Sequence, residues 1–165
     1  MYGTHGAEIS TQKADSFASS YAVSSGNMSL EGVAISDTTK AGLFDLDHES
    51  VMFAQNIHEK SYPASITKIM TALLALENSN LDDQVTFTEE CLADQTSDSG
   101  NIGMQVGEVL TMRQCLLALM IRSANDVATQ IAVQIAGSVA AFADMMNQKA
   151  QELGCVNTHL SLIHI

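Results

Sequence analysis

Positive charge is scarce in this chain. Its 165 residues carry 7 Lys and Arg against 19 Asp and Glu, for a formal net charge of −12. The basic residues Lys13, Lys40, Lys60, Lys68, Arg113, Arg122 and Lys149 are scattered and form no patch. That distribution argues against nucleic-acid binding and against attraction to an anionic membrane surface. No apolar run reaches the roughly 18 residues of a membrane span, so no span is expected in this chain. The opening MYGTHGAEIS has neither the basic nor the apolar region of a signal peptide, which leaves a mature form, a trimmed chain or a partial gene. The 3 cysteines (Cys91, Cys115, Cys155) are odd in number and lack metal-type spacing, and the 5 histidines show no paired-ligand spacing. These patterns offer no metal site and call for no cofactor. Cys115, inside CLLALM, reads as a buried free thiol.

What is present suits one globular domain with a core, since 46% of residues are hydrophobic and 16% charged. Residues 1–30 are Ser- and Ala-rich near their end and read as a solvated tail or weak helix. In AGLFDLDHESVMFAQN, two β-like runs flank a turn-like HES, which predicts a hairpin. A helix follows over about 64–78. SNLDDQVTFT holds a turn and a short strand or helix entry, and EECLADQ a short helix. TSDSGNIGMQVGEVL reads as a loop, and no further β segment is expected after residue 90. Three helices close the chain. Thr111 is the expected N-cap of the first, Gly137 the terminator of the second, and Ser138 and Gly154 bound the third. The fold class is therefore α+β, a short β segment followed by a helical region.

One stretch, YPASITKIMTALLALE (62–77), stands out because its only basic residue, Lys68, lies in an otherwise apolar helix. A helix apolar nearly all round is usually buried, and an unpaired buried charge is costly. Ser65 lies one helical turn earlier, about 60° away around the axis. A serine hydroxyl is a weak nucleophile that needs an adjacent base. Lysine serves as that base when desolvation and the positive end of a helix dipole favour its neutral form. The pattern alone is weak, since about one Ser-x-x-Lys arises by chance in a chain this long. Ser10 and Lys13 form such a decoy in the polar tail, where the lysine would be hydrated. The bland alternative for Ser65 and Lys68 is a helix cap beside a lysine that snorkels to the surface.

A second element is Ser123-Ala124-Asn125, at the junction of two predicted helices. A junction can aim both side chains into a cleft, where the serine relays a proton and the asparagine amide holds a carbonyl and the lysine. Ser25-Gly26-Asn27 and Ser99-Gly100-Asn101 have the same shape but lie in the tail and in the Gly-rich loop. The alternative here is that Ser123 or Asn125 simply caps the helix starting near Asp126.

YPASITKIMTALLALE resembles the first motif of the serine D-alanyl-D-alanine carboxypeptidases, the low-molecular-mass penicillin-binding proteins, and IRSANDVA resembles their second. The resemblance covers about residues 31–159, including the helices around the second motif. It implies a β-lactamase/transpeptidase-like fold, cut short, with a hairpin plus helical subdomain. It implies that Ser65 attacks the carbonyl between the two terminal D-alanines of a peptidoglycan stem peptide and that Lys68 accepts its proton. The backbone N–H of Ser65 would supply half of an oxyanion hole. Ser123 would pass the proton to the departing D-alanine, and Asn125 would orient Lys68 and the substrate backbone. β-Lactams would acylate Ser65 in the same way. The site would lie outside the cytoplasm.

The family's third motif, Lys-Thr/Ser-Gly, does not follow Asn125; Lys40-Ala41-Gly42 precedes both other motifs. After LGCVNTH the chain reads LSLIHI, which resembles a translated sequencing adapter, so residues 160–165 are expected to be non-native and 31–159 a partial catalytic domain. Two other readings remain open. A class A-like β-lactamase resembles SDN rather than SAN at the second motif and uses a later glutamate, for which only Glu152 stands near the end. A wall-binding relative would keep the fold without turnover.

Overall fold

The computed structural model describes residues 24–94 and 100–162. Most of the expected N-terminal tail, with Ser10 and Lys13, lies outside the described residues, as do Ser99 and 163–165. The chain divides into two compact units, Met1–Lys60 and Ser61–Ile165.

The first unit holds the predicted hairpin. Strands β1 (Ala41–Asp45) and β2 (Ser50–Gln55) pair antiparallel from Ala41↔Gln55 to Asp45↔Ser50, with a register shift between Leu43 and Phe44. The turn closes because the Asp45 carboxylate accepts the backbone N–H groups of Asp47 and His48, each at 3.0 Å. This is the local side-chain bonding that makes Asp a turn residue. Met28 extends the pairing by one bridge, exchanging backbone hydrogen bonds with Ala54 at 2.8 and 3.0 Å.

The second unit starts with a 3-10 helix, Ala64–Thr67, that runs into α1 (Lys68–Asn78). Strand β3 (Gln84–Thr86) pairs antiparallel with β4 (Val109–Thr111), and the 3-10 helix Glu89–Asp94 lies between them in sequence. Helices α2 (Met112–Arg122), α3 (Asn125–Ala136) and α4 (Val139–Glu152) follow. Strand β4 corrects the expectation that no β segment follows residue 90. Three residues directly before a helix cap leave no alternation to read. The pairing is set instead by the partner strand and by the Met112 and Arg113 N–H groups, which donate to Asp83 and Leu81 at 2.9 and 2.8 Å.

The helix boundaries follow local chemistry. Thr111 and Gln114 form a reciprocal capping box at α2. Gly137 ends α3 at φ 78°, a left-handed conformation that costs glycine little. The Ser138 hydroxyl accepts the Ala141 N–H to start α4.

One core joins Ala75 of α1, Val85 of β3, Cys115 and Leu119 of α2, and Val127 and Ile131 of α3. A second joins Leu74, Ala132, Phe142, Met146 and Leu162. Leu162 belongs to the terminal segment, which is also fixed by Asn147, whose side chain bonds both backbone groups of Leu160 at 2.7 and 2.9 Å. The expectation that α1 is buried all round is corrected. Lys68, Thr71, Leu74 and Ala75 are buried, whereas Ile69 and Leu76 are 59% and 56% exposed. α2, α3 and α4 all contact α1, and its buried residues include Leu74 and Ala75, which belong to the two cores shared with those helices.

Candidate active site

Ser65 is exposed and Lys68 is buried, with only 2% of its surface accessible. They are brought together by the 3-10 turn over Ala64–Thr67. A 3-10 helix has three residues per turn, so side chains at i and i+3 eclipse rather than stand about 60° apart. The Lys68 ammonium donates to Ser65 Oγ at 3.3 Å. The residue before Ser65, Ala64, has φ 47°. A left-handed alanine is unusual and stores strain, which clusters at functional positions.

Helix α2 ends at Ser123, itself left-handed at φ 55° and ψ 36°, and α3 begins two residues later. This reversal turns Ser123 and Asn125 toward α1. The Ser123 hydroxyl donates to Ser65 Oγ at 2.9 Å, and Lys68 Nζ donates to Asn125 Oδ1 at 2.6 Å. The capping alternative fails on geometry: the N-cap of α3 is Ala124, and no side chain caps it. Snorkelling fails as well, because Lys68 runs inward to Asn125 rather than out to solvent.

All four expected site residues, Ser65, Lys68, Ser123 and Asn125, thus form one connected group. Ser65 Oγ is reached from one side by an ammonium and from the other by a hydroxyl. Such a group can activate a serine and pass its proton onward.

Two further residues support the group and were not singled out from the sequence. The Gly100 carbonyl accepts the Asn125 N–H at 2.7 Å, and a side chain at Gly100 would press a Cβ to 2.9 Å from the Ser123 carbonyl oxygen. Asp126, fully buried, accepts backbone N–H groups from the loop that follows Gly100. Adjacency to Ser123-Ala124-Asn125 was the signal available for Asp126. Gly100, part of the Ser99-Gly100-Asn101 decoy in sequence, therefore bonds to the second motif. Glu152 is bound by Lys149 at 3.1 Å. Burial, and secondarily the Asp126 charge, push the Cys91 thiol up, and burial pushes Cys115 up to about 12.

Comparison with protein-family models matches residues 27–164 to the D-alanyl-D-alanine carboxypeptidase family. Among curated proteins, the D-alanyl-D-alanine carboxypeptidase DacF of Bacillus subtilis is 34% identical over 127 residues, covering 74% of this chain and 32% of DacF. Among solved structures, penicillin binding protein 6B from Escherichia coli superposes with a TM-score of 0.63 at 27% identity, covering 69% of this chain and 39% of that one. A D-alanyl-D-alanine carboxypeptidase from Mycobacterium tuberculosis gives a TM-score of 0.63 at 29% identity, covering 81% and 50%. The chain spans 32% of the length of each of the first two curated relatives. With a family match over residues 27–164 and a penicillin-binding-protein fold over 69% of its length, the chain belongs to the D-alanyl-D-alanine carboxypeptidase family.

Proposed function

We propose that this segment carries the acylation half of a serine D,D-carboxypeptidase that removes the terminal D-alanine from peptidoglycan stem peptides outside the cytoplasm. The reading is supported by the convergence of Lys68 and Ser123 on Ser65, with Asn125 holding Lys68. Burial disfavours the charged form of a lysine. When Lys68 is neutral, the Ser65 hydroxyl turns to donate to it, and Ser65 Oγ attacks the carbonyl of the D-Ala-D-Ala bond. The proton held on Lys68 passes through Ser123 to the amine of the departing D-alanine. Asn125 keeps Lys68 in place and offers its amide N–H to the substrate backbone. The Ser65 N–H supplies one donor to the developing oxyanion. Water then cleaves the acyl-enzyme and restores Ser65. A β-lactam follows the same first step, and its ring-opened acyl group stays on Ser65.

The second oxyanion donor and the group that grips the substrate carboxylate are assigned to a Lys-Thr/Ser-Gly strand later in the complete gene product. The share of its relatives' length that the chain spans supports this assignment. Losing one oxyanion donor typically costs about 10²–10³ in rate, so the segment alone is expected to turn over poorly.

The test uses the complete gene product with a fluorescent penicillin and with a peptide ending in D-Ala-D-Ala. Wild type is expected to label stably and to release D-alanine, and Ser65→Ala to do neither. Equal labelling of the two proteins would rule out the Ser65 assignment. Rapid turnover of the penicillin would point to a β-lactamase, and binding of the peptide without D-alanine release to a non-catalytic wall-binding protein.

A further inference from the structure

Asp126 is the one acidic side chain among the described residues that is fully buried, at 0% exposure. It is not among the groups that reach Ser65. Its carboxylate lies in the first turn of α3, where the helix dipole favours negative charge. Oδ2 accepts the N–H groups of Ile102, Gly103 and Met104 at 3.2, 3.0 and 3.1 Å. Oδ1 accepts from Ile102 at 3.3 Å and from Val127 at 2.9 Å. Three consecutive loop amides thus converge on one carboxylate, a nest-like arrangement that neutral side chains rarely satisfy.

The same loop bears on the second motif at its other end. Gly100 receives the Asn125 N–H through its carbonyl, and a Cβ at this position would come within 2.9 Å of the Ser123 carbonyl oxygen. Fixing residues 102–104 therefore fixes residue 100, and residue 100 fixes the turn that aims Ser123 and Asn125. We infer that Asp126 is a positioning residue for acylation: its carboxylate clamps the 100–104 loop under the Ser123–Asn125 turn and so holds both side chains at Ser65 and Lys68. This rests on the proposed acyl-enzyme function. Asp126 touches no reacting atom.

Asparagine has the right size but the wrong pattern, since its amide nitrogen would face loop N–H groups as a second donor. The experiment uses the complete gene product as wild type, Asp126→Asn and Gly100→Ala. Two quantities are read with a chromogenic penicillin: the burst amplitude, which counts competent sites, and the acylation rate constant per titrated site. A merely structural Asp126 lowers the amplitude and leaves the rate constant alone. The positioning role predicts that the rate constant per site falls at least about tenfold in Asp126→Asn, and likewise in Gly100→Ala, where the loop is displaced with the carboxylate intact.

Amide hydrogen exchange gives a readout independent of activity. The Ile102, Gly103 and Met104 amides should exchange slowly in wild type and lose protection in Asp126→Asn. Unprotected amides in wild type, or an unchanged rate constant per site in Asp126→Asn, overturns the inference. Absence of any wild-type labelling instead overturns the acyl-enzyme function, and with it the positioning role. Slow exchange in that case would still establish the clamp as a structural device.

Discussion

Lys68 Nζ donates to Asn125 Oδ1 at 2.6 Å, across 57 residues of sequence and from a site with 2% exposure. The asparagine oxygen accepts from the buried lysine without adding a negative charge. Lys68 is thus held in place by a neutral partner. Asn125→Asp should break that balance. A carboxylate within hydrogen-bond range stabilises the ammonium and raises its pKa. If Lys68 is the base proposed above, it works only when neutral, so the acylation limb on which it loses its proton should move to higher pH. At pH 7 the rate should fall roughly tenfold or more and partly recover as pH rises. A rate–pH profile with the limb unmoved would remove Lys68 from the role of base.

Lys68→Arg keeps the charge and most of the length but substitutes a group that is not deprotonated in proteins. Loss of general base catalysis is expected to cost about 10²–10⁴ in acylation rate, with Ser65 still present and the protein still folded. Penicillin labelling over hours, followed by mass spectrometry on the Ser65 peptide, measures the residual rate. Labelling at the wild-type rate would show that the proton goes elsewhere.

The grouping of the candidate site residues was legible in the sequence where geometry is local. Ser65 and Lys68 share a turn, and Ser123 and Asn125 flank a helix junction, so type and spacing carried the signal. The hairpin and the caps at Thr111, Gly137 and Ser138 were legible for the same reason, since each is decided by neighbours in sequence. Strand β4 was not, because three residues take their β conformation from β3 rather than from any pattern of their own. Nor was the one-sided burial of α1, which depends on which helices pack against it. Gly100 looked like part of a decoy motif, and only tertiary contact shows it bonding to the Ser123–Asn125 turn.

Thr71 lies one turn beyond Lys68 on the buried face of α1, and its Oγ1 is buried without a hydrogen-bond partner. Such a hydroxyl keeps its desolvation penalty with no compensating bond. Thr71→Val has nearly the same shape and removes the polar atom. It should raise unfolding stability by about 1 kcal/mol, seen as a higher denaturant midpoint at unchanged slope. A loss of stability would mean that the hydroxyl has a partner such as an ordered water.

The three cysteines should separate by environment. Cys155 is exposed, whereas Cys91 and Cys115 are buried, with Cys115 pushed up to about 12 from an ordinary 9.0. The thiolate is the reactive form, so a thiol reagent at pH 8 should modify Cys155 in the native protein and all three only in denaturant. The same shift links stability to pH. The folded state keeps the Cys115 proton to about pH 12, while the unfolded state releases it near 9.0. Between those values the native state binds more protons, so unfolding becomes easier as pH rises. Cys115→Ala should flatten that alkaline loss, while lowering stability at neutral pH through the cavity it leaves. Denaturant unfolding at about pH 7.5 and about pH 10, on either side of the ordinary thiol range, compares the two proteins. An identical alkaline loss in both would assign it to other groups.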